Sequence, residues 1–521
     1  MHYALLIPDV RAYIFAYIKE DKQMGRCTFA MLARTCSALS EASLDVLWSE
    51  LDSLRPLASC IYAANTMPLS DEAPDDDTRP DFSVFDKYAH RVRKLDLSGQ
   101  QRFLRRNGGY PSLTEDLGAL LYYPLNSPLL PNLRHLAWAP GMGLNLLRHL
   151  LGPHLLSLKI PSHRWSSAST LFALTKIPGL CPKIKSLTLQ VHSWDGHIDS
   201  ELTQSTHCIS RVIGSWAKLE ELDCNPMTSE GLLHLSGMES LRILRLQVNT
   251  ASVIDLPPDS LSFPSMHTFH ALSDVSLDAL WSELPTANSI LEAIRSLPKS
   301  IDIFLPVYQS GDVGVATVEP ILQPIGRNVS CGNLEEFRMN VPACLSGSVV
   351  SGANVLRPLF LCCNLRVLRI MMTPLFLLVD DDLRAMASAW PLLEELELFD
   401  CRNLNRTAEI TFHGLISLLE LCPKLRFFNL AIDATKLDGL RGDKPGGGVC
   451  NRLVKYPRLI DSQISDPEAV ARILLDILPE LETIWGEGSP GPFTAMFNPT
   501  LPQGWDQVYE RISVSKAAGG L

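Results

Sequence analysis

Near the start of the chain, apolar residues recur at helical spacing three times: Val10, Ile14, Ile18; then Phe29, Leu32, Ala33, Cys36; then Leu44, Leu47, Trp48, Leu51. Steps of three and four put each set on one helix face, so the pattern predicts three short helices. Pro8 suits a first helical turn, Thr28 and Ser40 are the expected N-caps of the second and third helices, and Gly25 breaks the chain between the first two. A module of about fifty residues hides too little area to bury all of this surface alone. A partner surface is therefore implied.

Further along, the pattern becomes a repeat of the form Leu-x-x-Leu-x-Leu, often after a proline. Copies run from Pro131 to Leu136, Leu155 to Ile160, Ile184 to Leu189, Leu219 to Cys224 and Leu241 to Leu246. Others start at Met266, Leu334, Leu365, Leu393 and Leu425, with weaker ones at Val92, Ile301 and Leu481. Successive starts lie roughly 22 to 35 residues apart over most of this range, which overlaps and slightly exceeds the period of leucine-rich repeats. Helical patterns precede many copies, as in Asp382 to Trp390 before Pro391 and Leu415 to Leu421 before Pro423. Each unit then reads as a helix ended by proline and a strand whose leucines point inward. No single unit can bury its apolar face, so the units must stack.

The expected fold class is α/β. A short all-helical module (residues 1–60) and an acidic, proline-containing linker (61–90) precede a leucine-rich-repeat-like solenoid (91–490). That solenoid has a parallel sheet on the concave side and helices on the convex side, and a C-terminal tail (491–521) follows. Outward strand positions form the candidate target face: Ser186, Thr188, Gln190, Glu221, Asp223, Asn225, Arg245, Gln247, Glu336, Arg338, Asn340, Arg369, Glu395, Glu397, Phe399, Phe427 and Asn429. Mixed charge with aromatics suits a protein or peptide target. The linker reading rests on Pro68 to Pro80, with Asp71, Glu72, Asp75, Asp76 and Asp77 among prolines.

The order Ile7-Pro8, Ile14-Phe15, Ile18, Leu32-Ala33 and Cys36-Ser37-Ala38-Leu39-Ser40-Glu41-Ala42-Ser43-Leu44-Asp45-Val46-Leu47-Trp48 resembles the F-box, most closely that of fungal F-box proteins. The repeat part is similar to the leucine-rich-repeat half of F-box proteins. The likeness departs from the family at Asp21 to Thr28, where Lys22, Gln23, Gly25 and Arg26 replace a leucine-rich turn. The resemblance implies docking on the Skp-family adaptor of a cullin-RING (SCF-type) ubiquitin ligase. Ile7, Pro8, Ile14, Phe15, Ile18, Leu32, Cys36 and Trp48 would lie on or behind the docking surface.

Composition adds limits. With 521 residues, 46% hydrophobic and 20% charged, the chain can fill a large core. A net charge of -11 argues against a general nucleic-acid or anionic-membrane binder. Thirteen scattered cysteines without a C-x-x-C pair suggest neither a disulfide framework nor a zinc module, and adjacent Cys362 and Cys363 read as buried small hydrophobes. Early charges such as Asp9, Arg11 and Lys19 interrupt any leader, so cytoplasm or nucleus is the expected location. Asp380, Asp381 and Asp382 read as a helix cap rather than a metal site, and the loops Asp438 to Gly448 and Gly486 to Pro492 as insertions. No HExxH, GxSxG or phosphate-loop signature occurs. The expectation is a non-catalytic receptor subunit without cofactor or metal, whose partners are the adaptor, the cullin scaffold and a protein target. The alternative is a plain repeat scaffold or regulator with no ligase role.

Overall fold

The computed structural model describes residues 7–21, 24–64, 81–100, 120, 123, 128–139, 144–162, 168–191, 200–224, 227–248, 268–279, 284–305, 319–341, 353–372, 377–399, 408–440, 442, 444–459, 462–484 and 504–519. The acidic stretch Pro68 to Pro80, the Gly486 to Pro492 loop, Lys22, Gln23, Asn225 and the copy start at Met266 lie outside the described residues. The chain forms two compact units, Met1–Met227 and Thr228–Leu521.

The first unit opens with helices α1 (Pro8–Glu20), α2 (Gly25–Thr35) and α3 (Ser37–Ser49), then β1 (Glu50–Leu51), α4 (Arg55–Ala64) and α5 (Ser83–Ala89). It continues through β2 (Lys94–Asp96), β3 (His135–Ala137), α6 (Leu144–Leu147), β4 (Ser157–Ser162), α7 (Ala168–Leu180), β5 (Ser186–Val191), α8 (Ser200–Ile213) and β6 (Glu221–Cys224). Strands β1 to β6 pair in parallel and in chain order. The sheet therefore begins at Glu50, upstream of residue 91 where the sequence pattern starts it. Leu54, Leu57, Ala58, Ile61 and Phe85 are buried, so α4 and α5 belong to this core although both extend into the stretch read as linker.

The second unit contains α9 (Ser229–Ser236), β7 (Ile243–Val248), β8 (Asp274–Ala279), α10 (Leu284–Glu292), β9 (Ser300–Phe304), α11 (Glu319–Arg327) and β10 (Glu336–Val341). A 3-10 segment (Ala353–Leu361) leads to β11 (Val367–Met372), α12 (Asp380–Ala389), β12 (Glu395–Phe399), α13 (Phe412–Leu421) and β13 (Phe427–Asn429). Strands β7 to β13 are again parallel and in chain order. A short pair, β14 (Asp433–Ala434) with β15 (Gln463–Ile464), precedes α14 (Pro467–Ile477) and α15 (Trp505–Gly519). Part of the stretch read as a tail is thus helical: Trp505, Val508 and Ile512 are buried, and the Trp505 indole donates to Ser462 O at 2.8 Å.

Alternation along the strands explains the stacking. In β10, Phe337, Met339 and Val341 are buried while Glu336, Arg338 and Asn340 alternate with them on the other face. Each fully buried Leu or Phe contributes about 1.5–3 kcal/mol, and only a neighbouring repeat can bury it. The Met266 copy gives way to one from Leu272, whose Val275 and Leu277 are the buried positions of β8. The Leu481 copy forms no strand, yet Glu482 N donates to Lys455 O at 2.9 Å.

Among the described residues, no regular asparagine column holds the repeats together. Different side chains do the same work, donating to a carbonyl of the preceding repeat. Asn132 donates to His90 O at 2.7 Å, Trp216 to Cys181 O at 2.9 Å, Asn364 to Gly332 O at 2.7 Å and Trp390 to Leu359 O at 3.0 Å. Acidic residues add to this. Asp380 accepts from both Thr411 N and Thr411 Oγ1 at 2.7 Å, and Thr411 in turn caps α13 by accepting from His413 N. Asp382 accepts from Val379 N and Ala353 N. The Asp380 to Asp382 cluster thus caps its own helix and crosses to both neighbouring repeats.

Capping at the start of the chain differs from expectation. Helix α2 begins at Gly25 with Met24 as N-cap, and α3 begins at Ser37 with Cys36 as N-cap. Thr28 and Ser40 lie inside these helices, and Thr28 Oγ1 bonds Met24 O. Gly25 does not break the chain. A Cβ there would stand 2.6 Å from Ile18 O, so glycine is what lets α2 approach α1. Cys362 is buried, which pushes its thiol up to about 12, whereas Cys363 is exposed rather than buried.

Candidate docking and recognition surfaces

The first three helices carry a small core of their own. Phe15, Phe29 and Leu39 are buried, and Ile14, Ile18, Leu32 and Cys36 are packed half-buried against them. The rings of Phe15 and Phe29 meet edge to face, with centroids 5.1 Å apart. Five of the eight residues placed on or behind the docking surface from the sequence therefore come together, in or beside this core. Ile7 and Pro8 are exposed. Trp48 lies elsewhere: its ring stacks on Tyr88 of α5 with centroids 4.4 Å apart.

Further apolar side chains are exposed besides Ile7. On α1, Val10, Tyr13 and Tyr17 follow helical spacing, with Tyr13 80% and Tyr17 76% exposed. Met24, the N-cap of α2, and Met31 on α2 are exposed too, Met31 at 65%. The two tyrosines sit one position before Ile14 and Ile18, just off the periodic apolar positions, so the helical period does not select them. Val10 was visible as part of that period.

Helix α3 is fastened to the segment between α5 and β2. The Arg91 side chain is 6% exposed and pairs with both Glu41 and Asp45 of α3. Its hydrogen bond holds the Glu41 carboxyl below the usual carboxylate range. The segment that departs from the family pattern contributes as well: Arg26 donates to Glu50 O at 2.8 Å and pairs with Asp52 at 3.2 Å, while Lys19 pairs with Glu50 at 2.7 Å.

On the sheet of the first unit, Ser186 donates to Glu221 at 2.9 Å and Gln190 donates to Asp223 at 2.9 Å. In the second unit, Arg245 is exposed on β7. Arg338 pairs with Glu336 at 2.8 Å, and Arg369 pairs with Glu395 and, at 3.7 Å, with Glu397. Asn429 donates to Glu397 at 3.2 Å, and Arg458 lies 5.5 Å from the centre of the Phe427 ring. Five of the sequence-assigned residues, Arg369, Glu395, Glu397, Phe427 and Asn429, thus join one network with Arg458. Phe399 is described in its backbone only. A second ladder precedes the strands: Lys299 to Glu335 at 3.3 Å, Glu335 to Arg366 at 3.7 Å, Arg366 to Glu394, and Glu394 to Arg426 at 3.8 Å.

One carboxylate stands apart. Burial pushes Asp278 on β8 up to about 6, and no neighbouring charge contributes. A carboxyl whose folded pKa is raised above the ordinary 3.8 binds more protons folded than unfolded, so its charge lowers stability increasingly as pH rises from about 4 through 6. Asp278→Asn is expected to raise the melting temperature at pH 7.5 and to leave it unchanged at pH 4. Equal shifts at both pH values in thermal unfolding would count against this assignment.

No protein-family model matches the chain, and no curated protein matches it. Among solved structures, one similar chain comes from the crystal structure of the yeast Rad7 and Elc1 complex. Its TM-score is 0.34 and its identity 16%, over 66% of this chain and 78% of that one.

Proposed function

We propose that this protein is a substrate-recognition subunit of a cullin-RING ubiquitin ligase. In this reading it docks on a Skp-family adaptor through α1 and α2 and takes a protein target on the outward face of the parallel strands. The observation that carries the reading is the exposure of the apolar side chains Val10, Tyr13 and Tyr17 on α1 and Met31 on α2, helices that hold a small core of their own. Apolar side chains left at the surface of a well-packed module mark a contact surface. The order of residues in Ile7 to Trp48 supports an adaptor as the occupant. Ubiquitin transfer is then a matter of proximity, with the chemistry on other subunits.

A second reading, a repeat scaffold capped by these helices, is favoured by one feature: α3 runs directly into β1, which pairs with β2. Deleting residues 1–35 separates the two. Cutting there spares α3, β1 and α4, whose Leu51, Leu54 and Leu57 belong to the repeat core. Under the ligase reading the truncated protein stays soluble and loses adaptor co-purification; under the cap reading it aggregates, and the intact chain brings down no adaptor.

A further inference from the structure

The outward face of β8 to β10 carries an arrangement that no part of the ligase reading requires. Asp278 on β8 lies in register with Phe304 on β9, and Phe304 with Asn340 on β10. Parallel neighbours stand about 4.8 Å apart, so an aromatic ring is flanked on both sides by a hydrogen-bond acceptor. We propose that Asp278, Phe304 and Asn340 form a pocket for a cationic side chain, lysine or arginine, of the target. This rests on the reading that the sheet face takes the target, and it names the chemistry recognised there.

Three observations support it. Asn340 Oδ1 is buried without a hydrogen-bond partner, which is costly to leave unmet and which a donor from a ligand would satisfy. Phe304 is 36% exposed, so part of this aromatic side chain can be reached by a ligand cation. Burial raises the Asp278 carboxyl, and among the described residues no basic group offsets its charge. The nearby bases are otherwise engaged. Arg338 pairs with Glu336 at 2.8 Å, and Arg245 and Arg338 both act on Asp302 in the adjoining row. Two acceptors, one of them anionic, repel an acidic side chain and leave a neutral apolar one facing unpaired polar atoms. A lysine ammonium or arginine guanidinium has donors and no acceptor, and meets all three groups at once.

The test uses the intact chain and an array of short peptides of defined sequence in which one central position is Lys, Arg, acetyl-lysine, Glu or Ala. Lys and Arg members are expected to bind about tenfold or more tightly than their acetyl-lysine and Ala counterparts, the scale of a charge-assisted contact with a cation–π component. Asp278→Asn, which keeps size and shape, is expected to erase that preference without changing adaptor capture, and Phe304→Ala to reduce it. Peptide binding indifferent to the central charge, or a preference that survives Asp278→Asn, overturns the pocket while leaving the sheet face as the target surface. Binding by no peptide at all overturns both.

Discussion

Replacing Trp390 with alanine is expected to destabilise the second unit by about 3–5 kcal/mol, the range for truncating a large buried aromatic. The side chain is fully buried at the C-terminal end of α12. It meets Phe360 edge to face with centroids 5.4 Å apart, and its indole N–H donates to Leu359 O at 3.0 Å. Cys422, one repeat further on, is buried with its thiol 3.4 Å from Trp390 O. One residue thus joins three successive repeats, and in a linear array a fault at one interface weakens its neighbours. Trp390→Phe keeps much of the volume and loses the hydrogen bond, so it is expected to cost less. Denaturant unfolding checks both; a loss below about 1 kcal/mol for the alanine variant would show that the site collapses around the gap.

The second large effect concerns the apolar face of α1 and α2. Tyr17→Glu combined with Met31→Glu is expected to weaken adaptor binding by about 2–4 kcal/mol, the scale of interface hot spots. Each substitution puts a charge where a partner surface would have to bury it unpaired. Both side chains are largely exposed in the isolated protein, so folding stability should change by no more than about 0.5 kcal/mol. That separation of binding from stability is what distinguishes this face from Trp48, whose stacking on Tyr88 makes it an attachment between α3 and α5.

Much of the fold was legible because the strand repeat is written in two periods at once. Leu334, Leu365, Leu393 and Leu425 each open a copy that precedes a strand of the second unit. The residue after each of them alternates Glu335, Arg366, Glu394, Arg426, and these form the ion-pair ladder. That alternation was readable in the sequence but became meaningful only once the copies were known to be adjacent in space. Early strands were harder: β1 has two residues and carries no repeat signal, so the leucine pattern starts the sheet later than Glu50.

The proposed docking face was legible in place but not in detail. Periodicity mostly finds residues that point inward, which is why it selected Ile14, Ile18 and Phe29, now in or against the small core. A docking surface consists of apolar residues that break that rule, and Tyr13, Tyr17 and Met31 are such residues. The Asp21 to Thr28 segment looked like a weakness beside the family pattern. Its Gly25 permits the close approach of two helices, and Arg26 ties the module to the backbone of β1. Asp278 and Phe304 escaped notice because their significance depends on strand register, which places residues distant in sequence side by side.

Titrating the purified intact chain with a purified Skp-family adaptor decides whether the N-terminal helices dock as proposed. Saturable one-to-one binding that is lost in the Tyr17→Glu, Met31→Glu variant, with its melting temperature unchanged, is the predicted result. No binding by the wild-type chain, or equal binding by the variant, would contradict it.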